Sequence, residues 1–571
     1  MNLTRRGFLI TATGAAATVA FLPGCVGTPP VFQHGVASGD PLSDRVILWT
    51  RVTPGGTPAS VTVQWTVADD PYMSQIVSRG STLAVPGSDY TVKVDAVGLA
   101  PGRTYYYQFV ASGWASPVGR TKTLPVGEQA DRVRLGVVSC SSYSWGYFNA
   151  YGALSRRDDV DLVICLGDYY YEYEEGAYGE GAPFNRIAEP NNETQTLSDY
   201  RTRHAQYKGD PMLQEVHRQH PFVSIWDDHE FKDDSWNGGA ELWPPSDPAG
   251  WLARRAAAVQ AYYEWMPIRV VDPLNPLRTF RRFQFGNLLD LVMLDTRIYG
   301  RDQQALLPSF DPIDVANGSI SDFLSIVTNP SREIIGAEQQ QFLRDSLVDS
   351  QYGRQVPWRI VAQGVIMSPL VIDLPVPGFP VNPDQWDGYR GAQGRIYDMI
   401  QSEGIGNLVV LTGDVHSSWA LEMSPDPYDP AVYDPSVGRN GIAVEFVCPS
   451  VSSPAAGTPG EWLAEIKSAL GQAILDGTQP HLRWNDLIHR GYIVLDVTAS
   501  HVQAEWYHTP DVRTPNDVEI YAKAVRVPSG STRLEMDPPQ TVASAAPRAP
   551  APESPVTRWL RGAGGSRIDV A

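Results

Sequence analysis

Six stretches of this chain share one pattern, in which a continuous apolar run stops abruptly at polar side chains. These stretches are VRLGVVSC (133–140), DLVICLGD (161–168), HPFVSIWDDHE (220–230), NLLDLVMLDTR (287–297), WRIVAQGV (358–365) and GNLVVLTGDVH (406–416). Continuous apolar runs are typical of strands that are buried on both faces of a sheet. The helix-like stretch NAYGALSRRDDV (149–160) separates the first two runs, so the sequence predicts strand, helix and strand in an α/β core. Because functional sites of open α/β sheets form beyond the carboxyl ends of the strands, we expect the polar residues after these runs to lie together.

Residues 31–127 carry a different pattern. VILWTRV (46–52) and VTVQWTVA (61–68) alternate apolar and polar residues, as half-buried strands do. The turn Leu99-Ala100-Pro101-Gly102 precedes the aromatic run TYYYQFVAS (104–112), an arrangement that resembles a fibronectin-type sandwich. We therefore predict a small fibronectin-like all-β domain over residues 31–127, packed against the larger domain that follows.

The larger domain is predicted over residues 130–525. Its last part, HRGYIVLDVTASHVQAEWYHT (489–509), alternates again and is interpreted as closing strands of the same domain. From residue 526 the chain is rich in Pro, Ala and Ser, a composition that favours a disordered tail over residues 526–571.

Residues 1–30 have the pattern of a signal peptide, because the basic pair Arg5 and Arg6 precedes an apolar stretch of small residues. The segment TRRGFLI resembles a twin-arginine (Tat) export signal, which implies the Tat export machinery as a partner. Leu22-Pro23-Gly24-Cys25 resembles a lipoprotein box. This leaves open whether a lipidated Cys25 tethers the chain to a membrane as a lipoprotein or cleavage nearby releases it. Both outcomes predict an exported protein, in the periplasm, at the cell surface or secreted.

Charge and cysteine content exclude two broad classes. The net charge of −19 argues against a stable nucleic-acid partner, because a phosphate backbone requires a basic surface. The 4 cysteines are too few for a disulfide framework in 571 residues. Cys165 and Cys448 are interpreted as buried small residues, and a disulfide between them is left open.

Side chains that can bind metals follow four of the runs. They are Cys140; Asp168 and Tyr171 in GDYYYEY; Asp227, Asp228, His229 and Glu230 in WDDHE; and Asp414 and His416 in GDVH. Adjacent acids are costly unless they are solvated or bound to cations. Residues i and i+2 of an extended segment point the same way, so we expect Asp414 and His416 to hold one metal pair from one side.

Together these motifs resemble those of the calcineurin-like metallophosphoesterases and, more closely, of the PhoD family. The resemblance rests on FQHGVASGDP (32–41), SCSSYSWGYFNAY (139–151), CLGDYYYEY (165–173), SDYRTRH (198–204), WDDHE (226–230), LDTR (294–297) and LTGDVHSSW (411–419). It extends from about residue 31 to about residue 525. It implies a mixed α/β and α+β fold, in which a four-layer β-sandwich is flanked by helices.

The resemblance also implies a centre that holds Fe³⁺ and Ca²⁺, with Zn²⁺ or Mn²⁺ loading left open. The implied ligands are Cys140 and Tyr171 on iron, Asp168 as a bridge, Asp414 on iron or as a bridge, and Asp228 and His416 on the second metal. Thiolate and phenolate suit a trivalent ion, whereas carboxylates suit Ca²⁺. Asp233 and Asp234 follow WDDHE where many relatives carry Asn, so the calcium ligands there stay open.

The implied activity is that of an exported alkaline phosphatase, which hydrolyses small or polymeric phosphate esters with a metal-activated hydroxide. His229 would lie beside the phosphate as a hydrogen-bond donor or acid. Arg201 and Arg297 are candidates to orient the phosphate, because a guanidinium matches its oxygens bidentately, and a structural ion pair is the alternative for each. Two other functions stay open: a phosphodiesterase or phospholipase D-like enzyme that uses the same site, and an inactive surface binding module.

Overall fold

Two large β-sheets dominate the fold. The computed structural model describes residues 31–309, 311–372, 378–455, 477–543 and 549–554. With strands numbered along the chain, the first sheet has the order β24 (Glu535–Met536), β23 (Ile520–Pro528), β22 (His501–His508), β21 (Gly491–Thr498), β9 (Arg132–Val138), β10 (Leu162–Cys165), β11 (Pro221–Ser224), β1 (Val36–Gly39), β2 (Arg45–Arg51) and β5 (Thr91–Val97). The second sheet has the order β12 (Arg281–Phe285), β13 (Leu289–Met293), β14 (Trp358–Gln363), β17 (Leu408–Thr412), β19 (Ala443–Val447), β18 (Ser418–Met423) and β20 (Leu482–Asp486).

Smaller sheets and the helices complete the described part of the chain. A third sheet contains β4 (Ile76–Ala84), β3 (Val61–Ala68), β6 (Thr104–Ala111), β7 (Trp114–Ala115) and β8 (Gly119–Lys122), and a hairpin pairs β15 (Val371–Ile372) with β16 (Phe379–Pro380). The α-helices are α1 (Asn149–Ser155), α2 (Leu197–Lys208), α3 (Pro211–Gln219), α4 (Pro248–Trp265), α5 (Pro312–Ala316), α6 (Ser319–Val327), α7 (Gly336–Val348) and α8 (Arg390–Ser402).

The six apolar runs form central strands of the two large sheets, as predicted. β9, β10 and β11 run parallel in the first sheet, and β13, β14 and β17 run parallel in the second. Every residue of β10, β11 and β17 is buried, which explains why these runs do not alternate. Parallel neighbours end at the same edge of a sheet, so the polar residues that follow them are brought close together.

The two sheets pack face to face and helices cover their outer faces. The core between the sheets contains Leu135 and Ile164 from the first sheet and Leu291 and Ile360 from the second. Residues of α1, α3 and α4 pack with the first sheet in a second cluster, and residues of α7 and α8 pack with the second sheet in a third. The predicted four-layer sandwich flanked by helices is confirmed.

The N-terminal segment has its own apolar core but shares the first sheet. Val63 and Phe109 lie in that core, which confirms the predicted all-β character of this segment. However, β1, β2 and β5 continue the ten-stranded sheet, and Gly39 of β1 pairs with Phe222 of β11. A Cβ on Gly39 would lie 2.6 Å from the Phe222 carbonyl oxygen, so this close approach requires glycine. Sequence patterns do not reveal the continuity of the sheet, because the partner of β1 lies far along the chain.

Asp40, directly after β1, fixes the N-terminal segment to the larger domain. Arg281 Nη2 donates to Asp40 Oδ1 at 2.8 Å, and the Arg269 backbone N–H donates to Asp40 Oδ2 at 2.7 Å. The same Arg281 nitrogen donates to the Ser224 carbonyl oxygen at 2.7 Å. Asp40 is fully buried, and removal of one partner from such a pair typically costs about 3–5 kcal/mol.

Part of the tail that was predicted to be disordered is folded. β23 and β24 pair at the edge of the first sheet, and Val527 and Leu534 lie in the core between the two large sheets. Farther along, Arg218 Nη1 donates to the Pro552 carbonyl oxygen at 2.7 Å. The prediction of disorder from residue 526 is therefore wrong for the described part of the tail, because a few alternating apolar residues are enough to bury one more strand.

The predicted signal peptide of residues 1–30, including Cys25, lies outside the described residues, as do residues 555–571 of the tail. Within the described ranges, none of the helices combines the length and the apolar character that crossing a bilayer requires.

Candidate metal centre

Loops at one edge of the paired sheets bring all six predicted metal ligands into one region. Asp168, Asp228, Asp414 and His416 line the same cavity, and Tyr171 contacts two of them. The elements that position the predicted residues are β9 for Cys140; β10 for Asp168 and Tyr171; β11 for Asp227, Asp228 and His229; and β17 for Asp414 and His416.

The backbone at these loops has an uncommon conformation. The φ angle is +60° at Cys140, +51° at Asp168, +60° at Asp414 and +54° at His416. Residues other than glycine rarely adopt positive φ, and such strain persists where the surrounding structure holds it in place, often at functional sites. Four of the six predicted ligands therefore occupy strained positions.

Glu230 joins the ends of β10 and β11. Its buried carboxylate accepts hydrogen bonds from the backbone N–H groups of Asp168 at 3.1 Å, Tyr169 at 2.7 Å and Asp227 at 2.8 Å. The last acid of WDDHE thus supports the backbone of two loops that carry predicted ligands.

The first ligand group contains the thiol, the phenol and one imidazole. Donor atoms of Cys140, Asp168 and His416 lie within 4.8 Å of one another. Tyr171 Oη lies 3.1 Å from Asp168 Oδ2 and 2.9 Å from His416 Nε2. His416 Nδ1 lies 2.9 Å from the Pro454 carbonyl oxygen, so Nδ1 carries a proton and Nε2 presents its lone pair to the group.

The second ligand group is rich in carboxylates. Its sets of mutually close donors are Asp227, Asp228 and Asp414; Asp228, Asp233 and Asp234; and Asp168, Asp228 and His229. Asp168 belongs to both ligand groups, which is the position that a bridging ligand would occupy.

These carboxylates carry more negative charge than their protein neighbours offset. Burial and the charge of Asp228 raise the pKa of Asp168 well above its ordinary value, although His229 lowers it. Burial likewise raises the pKa of Asp414 to about 6, against the effect of Arg297. Asp168 Oδ1 is buried without a hydrogen-bond partner in the described part of the chain. A cation would relieve each of these costs, so the donor set fits a metal centre.

Both arginines form ion pairs in the structure, which is the alternative that the sequence left open for each. Arg297 is fully buried, and its guanidinium donates to Asp227 at 2.7 and 3.1 Å and to Asp414 at 2.7 Å. It therefore orients carboxylates of the centre. Arg201 makes a bidentate pair with Glu264 of α4, with both contacts at 2.7 Å, and belongs to a structural ion pair outside the cavity.

The placement of Asp414 and His416 also differs from expectation. His416 lies with Cys140 and Asp168, whereas Asp414 lies with the carboxylates of the second group. The expectation assumed an extended backbone, in which residues i and i+2 point the same way. Because φ is positive at both residues, the segment is not extended and the two side chains diverge.

Two residues that support the centre, Glu172 and Gln385, were missed from the sequence. His229 Nδ1 lies 2.8 Å from Glu172 Oε2, and Glu172 Oε1 accepts the Asp233 backbone N–H at 2.7 Å. Gln385 Nε2 donates to Asp414 Oδ2 at 2.7 Å. Glu172 lies inside the GDYYYEY motif and could have been noticed there. The loop that carries Gln385 follows no apolar run, so nothing in the sequence marks it.

The centre lies at one side of a cavity of about 680 Å³. Acidic residues and His229 line that side, and an apolar cluster that includes Leu370, Val381 and Trp419 lines another part of the wall. Tyr178, from the loop that follows β10, stacks on Tyr171 with ring centroids 5.3 Å apart and an interplanar angle of 12°. The cavity thus joins a charged wall to an apolar wall, the combination expected of a ligand site.

A family model described as PhoD-like phosphatase matches residues 135–506, and the model of the N-terminal domain of PhoD-like phosphatases matches residues 24–125. Among curated proteins, alkaline phosphatase D of Bacillus subtilis (strain 168) is 36% identical over 495 residues, which are 85% of this chain and 78% of that protein.

Solved structures give the same result. A structure described as PhoD covers 93% of this chain and 96% of its own, with a TM-score of 0.77 and 33% identity. The purple acid phosphatase PPD1 of yellow lupin (Lupinus luteus) covers 90% of this chain and 79% of its own, with a TM-score of 0.52. At 12% identity, this second likeness concerns the fold alone.

The ligand role of Cys140 can be tested by substitution. Cys140→Ser is expected to lower the metal content of the purified protein at this centre by at least about tenfold, because a serine hydroxyl stays protonated where a thiolate would bind the ion. Activity should fall in parallel while the circular dichroism spectrum is unchanged.

The matched control is Cys448→Ser. The Cys448 thiol donates to the Val137 carbonyl oxygen at 3.1 Å, a contact that a hydroxyl can replace. This variant should keep its metal. Unchanged metal content in Cys140→Ser would contradict the assignment.

Proposed function

This chain belongs to the PhoD-like phosphatase family, and from that premise we propose that it hydrolyses phosphate esters at the metal centre at the edge of its two large sheets. The observation that carries the proposal is the convergence of thiol, phenol, imidazole and carboxylate donors near a buried Asp168 oxygen that has no hydrogen-bond partner among the described residues. This donor set borders a cavity large enough for a substrate. An inactive binding module would have no need to retain so costly a concentration of buried acids.

The donor chemistry supports an assignment of the metals. Cys140, Tyr171 and His416 would hold Fe³⁺, because thiolate and phenolate suit a trivalent ion, and Asp168 would bridge to the second metal. Asp228 and Asp414 would hold Ca²⁺, which prefers carboxylate oxygens, while Zn²⁺ or Mn²⁺ loading is the alternative. When bound, the metal pair would polarise the phosphoryl oxygens and lower the pKa of the attacking water.

His229 is the residue best placed to assist the leaving group. Its Nδ1 is engaged by Glu172, so Nε2 is left for the ester oxygen in the cavity that His229 lines. Although burial opposes charging of the imidazole, Asp228 and Glu172 raise the pKa of His229 well above its ordinary value. With Glu172 supporting its Nδ1, His229 would donate a proton to the departing alkoxide.

Arg297 and Glu230 would act through other residues. Arg297 fixes the oxygens of Asp227 and Asp414, and Glu230 fixes the backbone of Asp168. Both keep the ligands in position before substrate binds, which limits the reorganisation that the reaction requires.

The shape of the cavity favours a second candidate within the same enzyme class. A phosphate monoester needs little space beyond its one substituent, whereas this cavity measures about 680 Å³ and has an apolar wall that includes Leu370 and Trp419. Such a wall could bury the second substituent of a diester, so a phosphodiesterase or phospholipase D-like activity at the same centre is the alternative.

The substrate class can be tested by measuring p-nitrophenol release from mono- and bis-p-nitrophenyl phosphate at alkaline pH with Ca²⁺. We expect hydrolysis of these esters by the wild-type enzyme and a loss of at least about 100-fold in Asp168→Asn, which removes the bridging charge. Faster release from the monoester identifies a phosphatase, and faster release from the diester identifies a phosphodiesterase. A folded, metal-loaded protein that cleaves neither ester would contradict the proposal.

The role of Glu172 can be tested by its effect on different leaving groups. Glu172→Gln should lower kcat by about 10- to 100-fold at unchanged metal content, because the uncharged amide no longer supports a protonated His229. The loss should be larger for an alkyl phosphate than for p-nitrophenyl phosphate, since a poor leaving group depends more on the acid. Glu174→Gln, two residues away and exposed, is the control and should keep full kcat. Equal losses on both esters would exclude the acid role.

Export by the Tat route is a further part of the proposal, with Cys25 as a tether to the membrane. It is supported by the Arg5-Arg6 pair and the lipobox-like sequence at Cys25. Replacing both arginines by lysine should leave the enzyme in the cytoplasmic fraction, whereas the wild type should reach the envelope or the medium. If the variant and the wild type are found in the same fractions, export by the Tat route is ruled out.

A further inference from the structure

We propose that Asp486, His489 and His508 form a second metal site, which takes one divalent transition-metal ion of the Zn²⁺ kind. Asp486 ends β20, His489 lies in the turn that follows, and His508 ends β22. The site therefore lies where the last strand of the second sheet meets the hairpin β21–β22 of the first. It does not depend on the proposed function of the catalytic centre.

The three side chains converge on one point. Donor atoms from all three lie within 4.8 Å of one another. Asp486 Oδ2 lies 2.8 Å from His489 Nδ1 and 3.9 Å from His508 Nδ1. Both imidazoles thus turn Nδ1 toward the same carboxylate oxygen. The two rings are nearly parallel, with centroids 5.0 Å apart and an interplanar angle of 13°.

Neighbouring groups fix the orientation of the ligands. Asp486 Oδ1 accepts the backbone N–H groups of Ile488 and His489, both at 2.9 Å, which leaves Oδ2 directed at the two rings. His508 Nε2 lies 3.3 Å from Ser418 Oγ. When Nε2–H donates to that hydroxyl, the Nδ1 lone pair faces the Asp486 carboxylate at a distance too long for a hydrogen bond. A cation between them would turn two facing acceptors into two ligands.

One histidine of the site is buried and the other is half exposed, a combination that suits metal binding. His508 is buried, and burial lowers the pKa of its imidazole to about 4, so it is a neutral ligand at neutral pH. His489 is half exposed, with 51% of its side-chain surface accessible, which gives an ion a path from solvent.

The donor set distinguishes this site from the catalytic centre. Two imidazole nitrogens and one carboxylate oxygen suit Zn²⁺, whereas Ca²⁺ and Mg²⁺ prefer sites made of oxygen alone. Three protein ligands leave a coordination position open to solvent. Leu487, beside Asp486, lines the catalytic cavity, so an ion here would lie next to its rim.

The site can be tested by titrating the metal-loaded enzyme with ZnCl₂ in a calorimeter. The wild type should bind one Zn²⁺ more than His489→Ala, or bind it at least about tenfold more tightly, because loss of one of three ligands removes much of the affinity. Asp486→Asn keeps an oxygen that can cap the turn but loses the charge, and it should weaken binding similarly. His501→Ala, at the other end of β22, is the matched control and should titrate like the wild type.

A spectroscopic measurement makes the assignment specific. With Cu²⁺ as the probe, the electron paramagnetic resonance spectrum of the wild type should show coupling to two imidazole nitrogens, and that of His489→Ala to one. The proposal is overturned if wild type, His489→Ala and Asp486→Asn take up Zn²⁺ identically, since the cluster is then only an ion pair.

Discussion

The rest of the centre depends on one constraint, which is the repulsion among buried carboxylates at the carboxyl ends of the parallel strands. Asp168, Asp227, Asp228 and Asp414 are gathered where water is largely excluded, and the fully buried Arg297 offsets only part of their charge. Such an arrangement is stable only when cations are bound or protons are taken up. Hydrogen bonds and ion pairs from neighbouring residues hold these carboxylates close together against their repulsion. A strong cation site therefore exists before the metal binds.

The sheet topology explains how one edge can carry so many donors. Parallel strands from two facing sheets all end toward the same region, so each strand supplies a short loop to a common site. The loops turn sharply through residues with positive φ, such as Cys140 and Asp168, and Glu230 secures the turns by accepting backbone N–H groups. Rigid strands and strained turns together give the donors fixed positions.

Much of this architecture could be predicted from the sequence, and the failures have physical causes. Buried strands appear in the sequence as continuous apolar runs, so the core strands could be predicted. The six candidate ligands could be predicted because they follow these runs. The direction in which a side chain points depends on local backbone angles that composition does not encode, so the sequence could not place Asp414 and His416 in separate ligand groups. It also left open whether Arg201 forms an ion pair, because a short motif does not state which helix face a residue occupies. The folded part of the tail was missed because a segment becomes ordered when it pairs with a distant strand. Local composition does not reveal that pairing.

The order of strands in the first sheet has a consequence for biosynthesis. β9, at its centre, is made early, yet its neighbour β21 comes from near the end of the chain, and β1 must wait for β11. During translation β9 therefore has one unpaired edge until most of the polypeptide has left the ribosome, and such edges promote aggregation. High contact order of this kind also slows folding. A chain with this topology closes its sheet as a late event, so a truncated product would lack a complete core as well as its C-terminal strands.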